Sequence, residues 1–255
     1  FSSYGPLALK WNYIFKLIPW ISHYIKNCNK KSMLNTAKYM NQICRTADES
    51  YEEIFKEIDI SNLVDKKGII YTWSNKNLKS RQLEIKVRND LGIKQKLLTK
   101  KEVLELEPNL NPVFDAGVIY DYAYHARDPK EITKKLFDLF IKLGGKFEKK
   151  EVINVEQTKY NETQVKTSSD KFNFEKIVLA CGAFSKKLTD KLHENIPLDT
   201  ERGYHIHFKD FDHLISRPVV FQNRGFGMTP MEQGLRVVGT VEFGGLKNPL
   251  SKSRI

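Results

Sequence analysis

The sequence predicts a fold that mixes α+β and α/β architecture, with N-terminal helices, part of a parallel α/β domain, and a large, mainly antiparallel sheet. Three observations support this prediction. Apolar residues recur at helical spacing early in the chain, a run apolar on both faces occupies 177–181, and alternating segments follow residue 202. The 255 residues, 40% of them hydrophobic, suffice to bury a core.

Composition excludes several classes of protein. Three cysteines without a Cys-x-x-Cys pair argue against a disulfide framework or a four-cysteine zinc site, so we expect a reducing, cytoplasmic location. The sequence has no uncharged apolar run of about 18 residues, the length that would span a bilayer. The net charge of +11 comes from lysines that are spread along the chain among acidic residues, so we predict no nucleic-acid partner.

Two helical regions open the chain. Residues 7–24 combine bulky apolar residues with Lys10 and Lys16, a mixture typical of a helix packed on its domain or of one lying in a membrane interface. Both alternatives stay open, including peripheral attachment to the inner face of a membrane. Residues 32–58 carry a continuous apolar stripe, which predicts one long helix with Cys44 in the core.

The next segment predicts one strand and two helices. Residues 68–73 are rich in β-branched and aromatic side chains, as strands are. Asn75 begins a predicted helix that runs to about Asp90, with a glycine cap expected at Leu91-Gly92. Thr99 stands in the capping-box pattern that begins a second, shorter helix.

A tyrosine-rich strand is predicted over 116–124. Because side chains alternate along a strand, Tyr120, Tyr122 and Tyr124 should point to one face. Rigid rings with a polar tip suit the wall of a substrate cavity, which makes Tyr120 and Tyr122 candidate substrate-binding residues. Core packing is the equal alternative.

The central segment has the order expected of one half of a nucleotide-binding domain. Asp128 is a predicted N-cap for a helix over 129–143, and a strand is predicted at 147–155. The run 177–181 is apolar on both faces, as a parallel strand buried under helices is. Ligands bind at the carboxyl ends of such strands, which places residues 180–183 beside a bound group.

The last segment predicts an antiparallel sheet. Strands are expected at 203–208, 218–221, 226–230 and 235–241, and the last two flank a turn. Their alternation is typical of a half-buried sheet with short connections.

Several motifs of the chain occur together in a characteristic order. They are Asp128-Pro129, Gly144-Gly145-Lys146-Phe147, the run from Ile177 to Ala183, Ile196-Pro197-Leu198, Arg202-Gly203-Tyr204, and the run from Leu235 to Phe243. In this order the chain resembles the FAD-dependent D-amino-acid oxidase superfamily. It is most similar to the D-amino-acid dehydrogenase branch, whose members carry a similar Arg-x-x-Gly-x-x-Glu strand.

The resemblance implies a division of the chain into three regions. Residues 1–127 would form a substrate and helical region, 128–192 part of a Rossmann-type FAD-binding domain, and 193–255 the antiparallel sheet of the substrate domain. Family members begin with a strand–GxGxxG–helix unit and finish with a Gly-x-Arg-Pro segment beside the flavin, and this sequence contains neither. We therefore expect a fragment that lacks both flavin-binding ends.

Two segments are candidate FAD contacts by this resemblance. The backbone of Val152 falls where the family binds the adenine, with an ordinary strand residue as the alternative. The small residues Ala180, Cys181, Gly182 and Ala183 fall in a loop that passes close to FAD, where only small side chains permit the approach.

Three residues near the end of the chain are candidate substrate contacts. Arg202 and Tyr204 would orient a carboxylate, because arginine binds it with paired hydrogen bonds. Glu242 ends an apolar strand, where a carboxylate is costly unless it has a partner or a function. We interpret it as a ligand for a substrate ammonium, with a surface glutamate as the alternative. His205 and His207 lack an evident third ligand, so no metal site is predicted.

The resemblance implies an enzyme that oxidises a small-molecule amino acid, a D-amino acid above all, or a related amine. The α-hydrogen would pass to FAD as a hydride, leaving an imine that water hydrolyses to a 2-oxo acid and ammonia. The respiratory chain or oxygen would then accept the electrons, and no catalytic base stands out. Two alternatives remain: a flavoprotein acting on a 2-hydroxy acid or another non-amino-acid substrate, and a membrane-surface interaction protein without catalysis.

Overall fold

The computed structural model describes residues 7–74, 78–158, 160 and 162–251. Seven α-helices lie within these residues. They are α1 (Ile14–Asn27), α2 (Lys30–Cys44), α3 (Ala47–Glu57), α4 (Leu78–Asp90), α5 (Lys100–Leu106), α6 (Pro129–Lys142) and α7 (Ser185–Thr189). No helix in the described ranges is both long and apolar enough to cross a bilayer.

The strands of the described residues form three sheets. They are β1 (Leu7–Leu9), β2 (Val64–Asp65), β3 (Ile69–Trp73), β4 (Lys96–Thr99), β5 (Ala116–Tyr120), β6 (His125–Ala126), β7 (Val152–Gln157), β8 (Thr163–Thr167), β9 (Lys171–Phe174), β10 (Arg202–Phe208), β11 (Val219–Phe221), β12 (Phe226–Met231) and β13 (Gly234–Phe243).

The largest sheet has eight strands in the order β1-β13-β12-β11-β3-β5-β4, with β10 paired to β13. Only the pairs β1–β13 and β3–β11 are parallel among its described strands. Strands β7, β8 and β9 form a separate antiparallel sheet, and β2 pairs with β6. The predicted mixed fold with a mainly antiparallel sheet is therefore confirmed.

The core lies against the middle of the large sheet. Ile70 on β3, Val103 on α5 and Val219 on β11 are fully buried there, and Phe114 packs against Phe221. Two predicted helix starts are confirmed. Thr99 and the third residue of α5 form a reciprocal capping box, and the Asp128 carboxylate accepts the first free amides of α6.

The single helix predicted over 32–58 is wrong, because α2 ends at Cys44 and α3 begins at Ala47. Thr46 leaves helical geometry with φ −105° and ψ 9°. Asp48 and Glu49 then stabilise a new helix N-terminus through their negative charge. The predicted burial of Cys44 is also wrong: its thiol is exposed, because the apolar face of α2 is only partly covered.

Two predicted strands have different limits in the structure. The strand predicted over 116–124 ends at Tyr120, where the backbone turns and the amide of Ala123 donates to the Tyr120 carbonyl at 3.1 Å. The strand predicted at 147–155 begins only at Val152, after an irregular segment. The predicted helix start at Asn75 lies outside the described residues, and the described part of that helix is Leu78–Asp90.

The buried parallel strand predicted at 177–181 is wrong. This segment is irregular, and the Val178 side chain is 89% exposed. A strand forms when a neighbouring strand hydrogen-bonds its amides and carbonyls. Within the described part of the chain, no strand pairs with 177–181.

Candidate functional site

The antiparallel pairing of β10 with β13 places Arg202 opposite Glu242. The Arg202 Nη1 atom lies 3.2 Å from Glu242 Oε1, and Lys10 Nζ lies 3.7 Å from Glu242 Oε2. Glu242 is only 2% exposed. The alternative of a surface glutamate is therefore wrong, and this buried carboxylate has two cationic partners.

Arg202 also holds the segment that follows β13. Its guanidinium donates to the backbone carbonyls of Gly245 at 3.3 Å, Asn248 at 2.8 Å and Pro249 at 3.1 Å. Because the five guanidinium N–H groups have fixed directions, these bonds and the Glu242 pair orient the side chain completely. The 245–249 segment is thereby tied to the ends of two strands.

Tyr204 lies two residues from Arg202 on β10 and is buried at 7% exposure. Its hydroxyl accepts a hydrogen bond from the Ser251 amide at 3.0 Å. The structure thus brings Arg202, Tyr204 and Glu242 to one end of the large sheet. We call these residues, with Lys10, the charged cluster. Its adjacent positive and negative groups match the two charges of an amino-acid zwitterion.

Tyr120 and Tyr122 do not join the charged cluster. Tyr120 lies on β5, four strands from β13 in the sheet order, a separation of about 19 Å at the usual strand spacing. Its ring packs edge-on against Tyr71 at 5.7 Å, and burial raises its pKa. Tyr122 follows the strand in a turn and is 45% exposed.

A second site brings together the two segments with predicted FAD contacts. Val152 at the start of β7 and Cys181 line one cleft of about 930 Å³. Ala180 and Cys181 are exposed, and Gly182 and Ala183 begin a 3-10 turn that leads into α7. Gly182 has φ +53°, a conformation that favours glycine, and no atom lies within 4 Å of its Cβ position.

The charge of this cleft fits part of an anionic dinucleotide. Three lysines line it beside the two acids Glu151 and Asp190. These lysines are Lys150, Lys187 and Lys191. A hydrogen bond to Asp170 at 2.8 Å raises the pKa of Lys150 and keeps it charged. FAD carries two phosphates, and an open backbone at Gly182 leaves room beside it, so these residues fit such a group.

The lysines of both sites are not among the residues predicted from the sequence. Lys187 and Lys191 are four residues apart, a spacing that places two side chains on one face of a helix. This spacing is the feature from which a shared basic surface could have been predicted. Lys10 gave no comparable signal, because it reaches Glu242 only through the parallel pairing of β1 with β13.

Known proteins resemble this chain over nearly its whole length. A D-amino-acid oxidase of Bradyrhizobium diazoefficiens is 25% identical over 95% of this chain and 58% of its own length. A D-amino acid dehydrogenase of Vibrio atlanticus is 22% identical over 98% of this chain and 62% of its own length. The chain therefore spans less than two thirds of either relative.

Solved structures show the same fold. The crystal structure of glycine oxidase from Geobacillus kaustophilus superposes with a TM-score of 0.64 over 99% of this chain and 60% of its own, at 17% identity. L-proline dehydrogenase from P. horikoshii gives a TM-score of 0.66 over 85% of this chain and 57% of its own, at 19% identity.

The model of the DAO family, described as FAD dependent oxidoreductase, matches residues 16–254. This match confirms the family resemblance and the cofactor prediction, because the family is described as FAD dependent. Given the matched span and the shared fold, the chain belongs to the DAO family of FAD dependent oxidoreductases.

Proposed function

We propose that the protein containing this chain oxidises an amino acid, with D-amino acids as the favoured class, to an imine that hydrolyses to a 2-oxo acid and ammonia. The observation that carries this proposal is the charged cluster, in which Glu242 is buried against Arg202 and Lys10 in a chain of an FAD-dependent family. Relatives named D-amino-acid oxidase and D-amino acid dehydrogenase support the substrate class. FAD supplies the acceptor for the substrate's α-hydrogen.

In this proposal the charged cluster binds and orients the zwitterion. Glu242 accepts hydrogen bonds from the substrate ammonium, and Lys10, which is 32% exposed, attracts the carboxylate. Arg202 fixes the Glu242 carboxylate, and the Tyr204 ring closes the adjacent wall. Burial strengthens each of these interactions, because water screens charges less inside a protein than at its surface.

We assign the cleft at Val152 and Cys181 to FAD. The backbone of Val152 and the small residues 180–183 would border the cofactor, with the lysines of the cleft facing its phosphates. This assignment retains the predicted division, with 128–192 on the cofactor side and 1–127 and 193–255 on the substrate side.

The proposal extends to location and electron acceptor. Cys28, Cys44 and Cys181 are free, exposed thiols, which supports a reducing, cytoplasmic setting. Trp11, in the turn before α1, and Phe15, in the first turn of α1, are 85% and 82% exposed, which supports peripheral contact with a membrane surface and electron transfer to the respiratory chain. Oxygen uptake, measured against reduction of an artificial acceptor, distinguishes a dehydrogenase from an oxidase.

Steady-state kinetics of Glu242→Gln in the full-length protein test the substrate site. We expect unchanged FAD content and a KM for amino acids raised by about tenfold, equivalent to about 1.4 kcal/mol of lost binding. Glu107→Gln is the matched control, because Glu107 is also 2% exposed and pairs with Arg217 at 3.0 Å in the core.

The substrate panel contains D- and L-amino acids and the corresponding 2-hydroxy acids. A control variant with normal KM beside an impaired Glu242→Gln supports the proposal. Equal KM values for both variants and the wild type on every active substrate contradict it, and preferred turnover of 2-hydroxy acids favours the non-amino-acid alternative.

A further inference from the structure

An aromatic cavity lies between α1 and the end of the large sheet. It measures about 540 Å³, within the usual range for small-molecule sites. Trp20 is central to it: the indole stacks on Tyr24 with centroids 5.3 Å apart and tilts against Phe243, also at 5.3 Å. Leu17, which is 1% exposed, forms part of its floor.

This cavity is separate from the charged cluster. Side chains alternate across a strand, so Phe243 points away from its neighbour Glu242 on β13. Glu201, which directly precedes β10, lines the cavity together with Phe243. The aromatic cavity therefore lies on the opposite face of the sheet from the buried ion pair. A ligand bound there leaves the charged cluster untouched.

Glu201 gives the cavity its only acidic lining side chain among the described residues. The cations nearest in sequence and register, Arg202 and Lys10, are both engaged with Glu242 on the other face. No described cation forms an ion pair with Glu201. The other lining residues are aliphatic or aromatic, so the cavity combines ring faces with one negative charge.

Ring faces and a carboxylate both attract an organic cation. The negative face of an aromatic ring stabilises an ammonium by about 0.5–2 kcal/mol, depending on its exposure to water. A carboxylate at the same site adds a charge-assisted hydrogen bond. An anionic ligand is repelled by Glu201, and a small inorganic cation leaves the apolar walls unfilled.

We propose that this cavity is a second ligand site that binds a primary arylalkylammonium, with its aromatic body against Trp20 and Phe243 and its ammonium beside Glu201. The inference does not depend on the proposed oxidation, because it concerns the opposite face of the sheet. Binding there gives the protein a means to sense an amine other than its substrate.

Titration of the full-length protein with phenethylammonium tests the proposal. In a Trp11→Phe background the remaining tryptophans of this chain are Trp20 and the buried Trp73. The quenching that Trp20→Leu abolishes therefore reports on Trp20, and isothermal calorimetry gives the dissociation constant. We expect the neutral analogue 2-phenylethanol and the anion phenylacetate to bind at least about tenfold more weakly than phenethylammonium.

Variants locate the ligand. Glu201→Gln should weaken phenethylammonium binding by about three- to fivefold, the usual worth of an exposed ion pair, and Trp20→Leu by about tenfold. Glu194→Gln is the control, since Glu194 is exposed like Glu201 but lies outside the cavity, and this change should leave binding unchanged.

Two results overturn the proposal: equal binding of phenethylammonium and 2-phenylethanol, or equal loss in the Glu201 and Glu194 variants. Binding that is lost in Glu242→Gln but kept in Glu201→Gln places the amine in the charged cluster and also overturns it. The fluorescence readout requires no turnover, so failure of the proposed oxidation leaves this test intact.

Discussion

Arg202 and Glu242 lie 40 residues apart in the sequence and form an ion pair of 3.2 Å between Nη1 and Oε1. The same guanidinium bonds three carbonyls of the segment that follows β13. One side chain therefore links the end of β13 to the chain that follows it.

Arg202→Met in the full-length protein should lower the free energy of unfolding by about 3 kcal/mol. The substitution leaves the Glu242 carboxylate buried with only Lys10 at 3.7 Å, and breaking a buried pair on one side is strongly destabilising. Urea unfolding monitored by circular dichroism measures the change.

The double variant Arg202→Met/Glu242→Leu is the control for this prediction. Removing the stranded carboxylate should recover part of the lost stability, because no unpaired charge then remains buried. If the double variant lost at least as much free energy of unfolding as the two single variants lose together, the pair would have no favourable coupling.

Gly182→Leu should reduce FAD affinity by about tenfold while the protein remains folded. A leucine there places a branched side chain in the open space beside the backbone, at φ +53°. Gly144→Leu is a matched control, because Gly144 also has a positive φ, +91°, and equally open surroundings. It follows the end of α6 and does not line the cleft. Flavin absorbance after desalting measures retention, and an equal loss in both variants would reduce Gly182 to a turn residue.

Local signals predicted much of the fold. The capping box at Thr99 and the N-cap at Asp128 are correct because each depends on residues within four positions of one another. The hairpin of β12 and β13 is correct for the same reason. The strand predicted at 177–181 is wrong, because an apolar sequence indicates burial but does not supply the neighbouring strand that a β-conformation requires.

Long-range pairing limited what the sequence revealed about the sites. The sequence predicts Arg202, Tyr204 and Glu242 as substrate contacts, but only the β10–β13 register shows that they meet. It predicts Tyr120 and Tyr122 from their alternate positions and their rings, and the sheet order places Tyr120 four strands away from β13. The sequence does not predict Lys10 as a partner of Glu242, because β1 and β13 lie at opposite ends of the sequence.

Stability at alkaline pH should depend on Tyr13. Burial, together with a 2.8 Å hydrogen bond that its hydroxyl donates to Asp199, raises the pKa of Tyr13 to about 12. An unfolded tyrosine titrates near pH 10, so between pH 10 and about 12 the unfolded chain loses a proton that the folded protein keeps. The stabilisation is present below pH 10 and disappears as the pH rises through 12.

Tyr13→Phe tests this dependence. The free-energy difference between wild type and variant should be largest at pH 8 to 9 and shrink by pH 11, measured by urea unfolding at each pH. Tyr39→Phe, at a side chain that is 63% exposed, serves as the control. A Tyr13→Phe difference that stays constant over this range would contradict the prediction.

The outer face of α1 should determine contact with anionic membranes. Phe15 and Ile18 are exposed there and Trp11 is exposed in the turn just before the helix, whereas Leu17 on the inner face is buried. Lys16 adds positive charge beside these rings, the combination that suits a membrane interface. Inserting a large apolar side chain contributes about 1 kcal/mol even when its burial is partial, so two such residues are worth more than tenfold in affinity.

Trp11→Ser/Phe15→Ser should therefore weaken cosedimentation with phosphatidylserine vesicles by at least about tenfold while preserving FAD content and fold. The control, Leu143→Ser/Val178→Ser, removes two apolar side chains that are 76% and 89% exposed and lie far along the sequence from α1. Because the control also removes two highly exposed apolar side chains, a specific effect of Trp11 and Phe15 requires that only the first variant lose binding. Equal binding by wild type and both variants would assign Trp11 and Phe15 no role at a membrane.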